Sequence, residues 1–179
     1  MSHFALTIIG RDRPGIVAQV TEIVYRLGCN IADSSCSILG GQFAMILILS
    51  QPEFTGKESF GDAFAPLEET NLSVFIRTLK PGGEIRPHLE GEICMISVYG
   101  ADQPGIVYKV AKELGDRQIN ITDLNTKLVG SQERPVYVMM LEAVLPITLC
   151  IEELMEVMGE LEKKLQVDIS VRSITPVEL

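Results

Sequence analysis

Two stretches of this chain, residues 10–20 (GRDRPGIVAQV) and 100–110 (GADQPGIVYKV), set an acidic residue, a proline and a glycine at one turn ahead of an apolar helical run. The head of a helix presents unpaired N–H groups and a partial positive charge, which suits a carboxylate. Gly15 and Gly105, lacking a Cβ, let a ligand come close to the backbone. Asp12 and Asp102 can either cap their own helices or hold a ligand's ammonium group by a charge-assisted hydrogen bond. The plainer alternative is that the aspartate cap and Pro14 or Pro104 simply start a helix. Glycine inside a first helical turn weighs against that alternative, because it disfavours the helix on its own. Arg11 and Arg13 flank the first turn where Ala101 and Gln103 flank the second, so the first site is the more electropositive and unequal affinities follow. A solvated surface role for both arginines stays open.

Other chemistry finds little support. No G-x-x-x-x-G-K phosphate loop and no G-x-S-x-G elbow occurs, and His3 and His88 fall in a strand start and a linker. Cys29, Cys36, Cys94 and Cys150 lie far apart with no C-x-x-C spacing. They read as reduced, mostly buried thiols. We therefore expect no catalytic residues, no metal and no cofactor. A formal charge of −9 opposes binding to a phosphate backbone. The first residues lack a signal-peptide pattern, and no apolar run has membrane-spanning length. A cytoplasmic protein is expected.

The elements that position the two turns repeat as well. An offset of 90 residues carries Gly10 onto Gly100, and the same offset pairs Asp12 with Asp102, Asn30 with Asn120, Asp33 with Asp123 and Gly40 with Gly130. That period is the size of a small domain. Residues 1–79 and 92–179 read as two domains joined by a Pro/Gly-rich linker at 80–91. In each copy the apolar period alternates between strand and helix in the order βαββαβ, with second helices through Phe60, Phe64 and Leu67 and through Leu154, Met155, Met158, Leu161 and Leu165. Right-handed crossovers then favour the α+β ferredoxin-like sandwich with sheet order 4-1-3-2, its polar second strand at the edge.

In that topology strand one ends at the Asp-x-Pro-Gly turn, whereas Asn30 or Asn120 begins strand two at the domain's opposite end. If the two edge strands pair about a pseudo-twofold axis, one eight-stranded sheet forms and two pockets are expected. One holds Asp12, Arg13, Pro14, Gly15 and Ile16 with Asn120; the other holds Asp102, Gln103, Pro104, Gly105 and Ile106 with Asn30. A turn role for the asparagines is the alternative. Residues 43–49 (FAMILIL) and 136–141 (VYVMML) are apolar at both parities, as in a sheet covered on both sides, and a homodimer or a partner protein would supply the cover.

The paired D-x-P-G-I turn and the later N-I-x-D, on a βαββαβ frame, resemble the ACT domain, a small regulatory module that often binds amino acids. A tandem pair without an attached enzyme is similar to the glycine cleavage system transcriptional repressor group. The resemblance implies a small amino acid ligand such as glycine or serine, and action through a partner transcription factor rather than on DNA. A non-catalytic scaffold with inactive ligand sites is the competing function.

Overall fold

The computed structural model describes residues 2–51, 61–79, 91–131 and 134–174. The chain divides into two compact units, Met1–Pro87 and His88–Leu179. In the first, β1 (Ser2–Arg11), α1 (Ile16–Arg26), β2 (Asn30–Leu39), β3 (Gln42–Gln51), α2 (Ala65–Glu68) and β4 (Leu72–Leu79) follow in order. The second repeats them as β5 (Gly91–Gly100), α3 (Ile106–Asp116), β6 (Asn120–Ser131), β7 (Arg134–Pro146), α4 (Ile151–Leu165) and β8 (Asp168–Ser173). Each unit has its own antiparallel four-stranded sheet, β2-β3-β1-β4 and β6-β7-β5-β8. This is the expected 4-1-3-2 order, with strands one and three central. The expected linker at residues 80–90 lies outside the described residues, and Gly91 belongs to β5 rather than to a linker.

Alternation along the central strands builds each core. Phe4, Leu6 and Ile8 of β1 and Phe43, Met45, Leu47 and Leu49 of β3 point at α1, which answers with Ile16, Val20 and Val24. In the second unit Ile96, Val98, Met139 and Leu141 meet Ile106, Val110 and Leu114 of α3 and Leu154, Met158, Leu161 and Leu165 of α4. Met155, expected with these, is instead 45% exposed. It follows Leu154 by one position, about 100° round the helix, and so stands at the edge of the buried face. Residues 61–62 are helical as well, a turn at 63–64 separates them from α2, and beyond α2 Asn71 takes a left-handed φ of 61° while the Thr70 hydroxyl donates to the Leu67 carbonyl at 2.7 Å. Phe64 and Leu67 are buried as expected, while Phe60 lies outside the described residues.

The alternate residues of the central strands face away from the helices. Ile46 of β3 and Met140 of β7 are 49% and 44% exposed. The thiols also depart from expectation. Only Cys94 is buried; Cys29 is half-buried, and Cys36 and Cys150 are exposed. Among the described residues no helix is long and apolar enough to cross a membrane.

Candidate functional site

Both Asp-x-Pro-Gly turns end in the same backbone device. Gly15 and Gly105 are the N-cap residues of α1 and α3, with φ of 91° and 95°. Such φ values favour glycine on steric grounds, so the turn alone accounts for this residue. The expectation that glycine sits within the first helical turn is thereby corrected. Asp12 and Asp102 do not cap their helices either: no side-chain cap bond is made at either helix head. Asp12 is exposed, and its backbone N–H donates to the Gly41 carbonyl at 2.9 Å, which ties the turn to the β2–β3 hairpin.

The helix heads are left open. In α1 the first intrahelical bond runs from the Gln19 N–H to the Gly15 carbonyl (3.0 Å), and in α3 from the Lys109 N–H to the Gly105 carbonyl (2.9 Å). Amides before these have no carbonyl of their own helix to bond. The side chains of Ile16 and Ile106 are core residues, each 2% exposed, so only their backbone can serve a ligand. Pro14, Gly15, Pro104 and Gly105 are exposed.

Position 13 and its counterpart 103 fasten the turn to the domain. Arg13 Nη2 donates to Gln19 Oε1 at 2.7 Å and to Thr70 Oγ1 at 3.1 Å. Gln103 Nε2 donates to the carbonyl of Leu165, the last residue of α4. In both domains this side chain reaches the end of the second helix.

A groove opens at each helix head. The first, about 620 Å³, runs from Asp12, Arg13 and Gly15 along the first turn of α1 to Cys36, Ser37 and Ile38 of β2, with Phe43 of β3 as a wall. The second, about 480 Å³, is lined by Asp102, Gln103, Gly105, Ile106, Val107, Tyr108 and Tyr137. Phe43 and Tyr137 are equivalent, since they lie opposite Gly10 and Gly100. Cys36 and Thr126 correspond likewise, opposite Met45 and Met139. Burial pushes the Tyr137 phenol up, a hydrogen bond with Thr126 pulls it down, and the Asp102 charge adds a smaller upward push. The first groove thus has an apolar aromatic wall beside a thiol, and the second a phenol anchored to a hydroxyl.

None of these walls was among the expected site residues. The strands of the second hairpin are longer, so the offset grows from 90 at the turn to 94 at Phe43 and Tyr137. For the same reason Gly40 and Gly130 are not equivalent: Gly40 occupies the two-residue turn after β2, whereas Gly130 lies within β6.

Asn30 and Asn120 stand far from the turns of their own domains. Along β3, Arg11 lies opposite Gln42 and Asn30 opposite Ser50, a separation of roughly 27 Å at about 3.4 Å per residue. Along β7, Gly100 lies opposite Tyr137 and Asn120 opposite Val144, roughly 24 Å by the same rise. Both asparagines are exposed. Among the described residues no three His, Cys, Asp or Glu side chains cluster as metal ligands would.

Comparison with known proteins fits this architecture. Residues 2–73 match the family model of the ACT domain. The glycine cleavage system transcriptional repressor of Escherichia coli (strain K12) is 29% identical over 122 residues, which make up 68% of this chain and 63% of that protein. The match therefore spans less than two thirds of that relative's length. Among solved structures, an unknown protein from Galdieria sulphuraria superposes with a TM-score of 0.81 at 24% identity, over 97% of this chain and 99% of its own. A candidate glycine cleavage system transcriptional repressor superposes with a TM-score of 0.71 at 22% identity, over 98% of both chains. At these identities the superpositions speak for the fold. The first domain thus matches the ACT domain, the whole chain shares the fold of these two structures, and the chain resembles the glycine cleavage system transcriptional repressor family.

Proposed function

We propose that this chain is an amino-acid-responsive regulatory protein, and that the groove at the head of α1 or α3 receives a small amino acid such as glycine or serine. The observation that carries this reading is the recurrence of one arrangement in both domains: an open helix head, a left-handed glycine beside it and an exposed aspartate three residues earlier. The helix head meets the ligand's carboxylate and the aspartate its ammonium group. Asn30 and Asn120 join such a site only where another ACT domain brings them to it. By analogy with the repressor it resembles, the protein regulates transcription linked to glycine metabolism through a partner transcription factor. Its charge of −9 opposes direct contact with DNA.

Thermal unfolding with and without glycine, serine and the acidic amino acids tests this. A ligand at a hundredfold excess over its dissociation constant adds about 2.7 kcal/mol. A second reading, a protein-interaction scaffold without ligand, draws on the left-handed φ of Gly15 and Gly105, which accounts for both glycines without any ligand. It predicts the same melting temperature with every amino acid.

A further inference from the structure

On the far face of the first sheet, away from its helices, residues cross the four strands in register. One row runs Ser35, Ile46, Thr7, Phe75 and the next Asp33, Ile48, Ala5, Arg77. Ile46 is 49% and Phe75 60% exposed, so the described residues of the first domain do not themselves cover this apolar surface. The second row sets an acid at one edge of the sheet and a base at the other. They stand about 14 Å apart, three strand spacings of about 4.8 Å, with only Ile48 and Ala5 between them.

We infer that this face binds the same face of a second copy of the chain, about a twofold axis that lies between the two sheets and runs parallel to their strands. Such a rotation keeps each residue's position along the strand and reverses the strand order. Arg77 of each copy then lies over Asp33 of the other, twice per dimer, and the uncharged centres around Ile46 and Thr7 meet. A twofold axis across the strands keeps the strand order, so Arg77 falls on the edge that carries the copy's own Arg77 and never meets Asp33, and where the axis crosses the second row it stacks like charge on like. The charges therefore select one of the two ways in which the face can meet itself.

The second domain repeats the edge charges but not the centre. Its equivalent row runs Asp123, Glu142, Met95, Arg172. The Glu142 carboxylate sits inside the row and accepts a hydrogen bond from the Thr122 hydroxyl at 2.6 Å. Packing another sheet over it strips water from a charge with no cation opposite. The first domain's face carries no such penalty, and it is the one we assign to dimerisation.

The interface is small. Four strands about 4.8 Å apart and 8–10 residues long, about 27 Å at about 3.4 Å per residue, offer roughly 500 Å² of sheet per copy, against the about 800 Å² per partner of a standard stable complex. A weak dimer that responds to concentration follows.

Sedimentation of the full chain from about 1 µM to 0.5 mM spans the range in which a complex of that size associates. The wild type should pass from monomer to dimer. Ile46→Glu should abolish the dimer, whereas Met140→Glu, on the second domain's far face, should leave it unchanged. Arg77→Asp and Asp33→Arg should each weaken it about tenfold or more, and the double exchange should bring it back to within a few-fold of wild type. Thermal unfolding of each variant separates loss of association from loss of fold. A chain that stays monomeric throughout, a dimer indifferent to Ile46→Glu, or a double exchange no better than the single ones would overturn the inference.

Discussion

Replacing Gly15 with alanine distinguishes a glycine required by the backbone from one required by a ligand. At a φ of 91° an added Cβ finds no atom within 4 Å, so the substitution does not clash. Its cost is the left-handed backbone alone, about 1–2 kcal/mol for an L residue. Gly105→Ala is a near-duplicate, with a φ of 95° and only Lys109 Cε nearby at an ordinary 3.8 Å. In a domain of this size each kcal/mol lowers the melting temperature by about 4–8 °C. Each variant should therefore lose several degrees in the domain that carries it, as followed by calorimetry without ligand. Asparagine tolerates the left-handed region better, so Gly15→Asn should lose less than Gly15→Ala. If Gly15→Ala melts with the wild type and only its response to an amino acid changes, the backbone explanation is wrong.

Four further outcomes can be checked. Gly10→Ala should destabilise for a different reason, by about 1–3 kcal/mol in denaturant titration, because its Cβ would stand 2.6 Å from the Asn71 carbonyl oxygen and 2.7 Å from Leu72 Cδ2. A thiol reagent at mildly alkaline pH should modify Cys36 and Cys150 in the folded protein and reach Cys94 only on unfolding. Burial, then the charges of Glu92 and Glu142, push the Cys94 thiol up to about 11 from its ordinary value of 9.0. Unfolding therefore releases a proton above pH 9, and the stability that Cys94 contributes below pH 9 should decline as pH rises from about 9 to about 11, measurable as a falling denaturation midpoint. Leu6→Ala and Leu141→Ala, each at a fully buried position, should cost about 2–5 kcal/mol in their respective domains.

The fold was legible because two signals agreed. The 90-residue offset marked the duplication, and the alternation of Phe4, Leu6 and Ile8 against the helical spacing of Ile16, Val20 and Val24 separated strand from helix. Handedness rules then left little choice of sheet order. The candidate site was legible only at its turn. Phe43 and Tyr137 enter through strand register, and the unequal hairpins hide their equivalence from any ungapped comparison. Gly15 was recognised as unusual for the wrong reason, since a residue one place before a helix and one within its first turn look alike in sequence while their φ values differ in sign. The roles of Arg13 and Gln103 were hidden too. Each reaches the far end of a helix that the turn meets only in three dimensions.

The claim that the two grooves accept a free amino acid is tested most directly by calorimetric titration of glycine and serine into the full chain and into the double variant Asp12→Ala, Asp102→Ala. Saturable heat is expected with at least one of them in the wild type. Loss of a charge-assisted hydrogen bond of about 1.5–3 kcal/mol should weaken that binding at least tenfold in the variant, with its melting temperature without ligand unchanged. No heat from either amino acid, or equal affinity in the variant, would contradict the account.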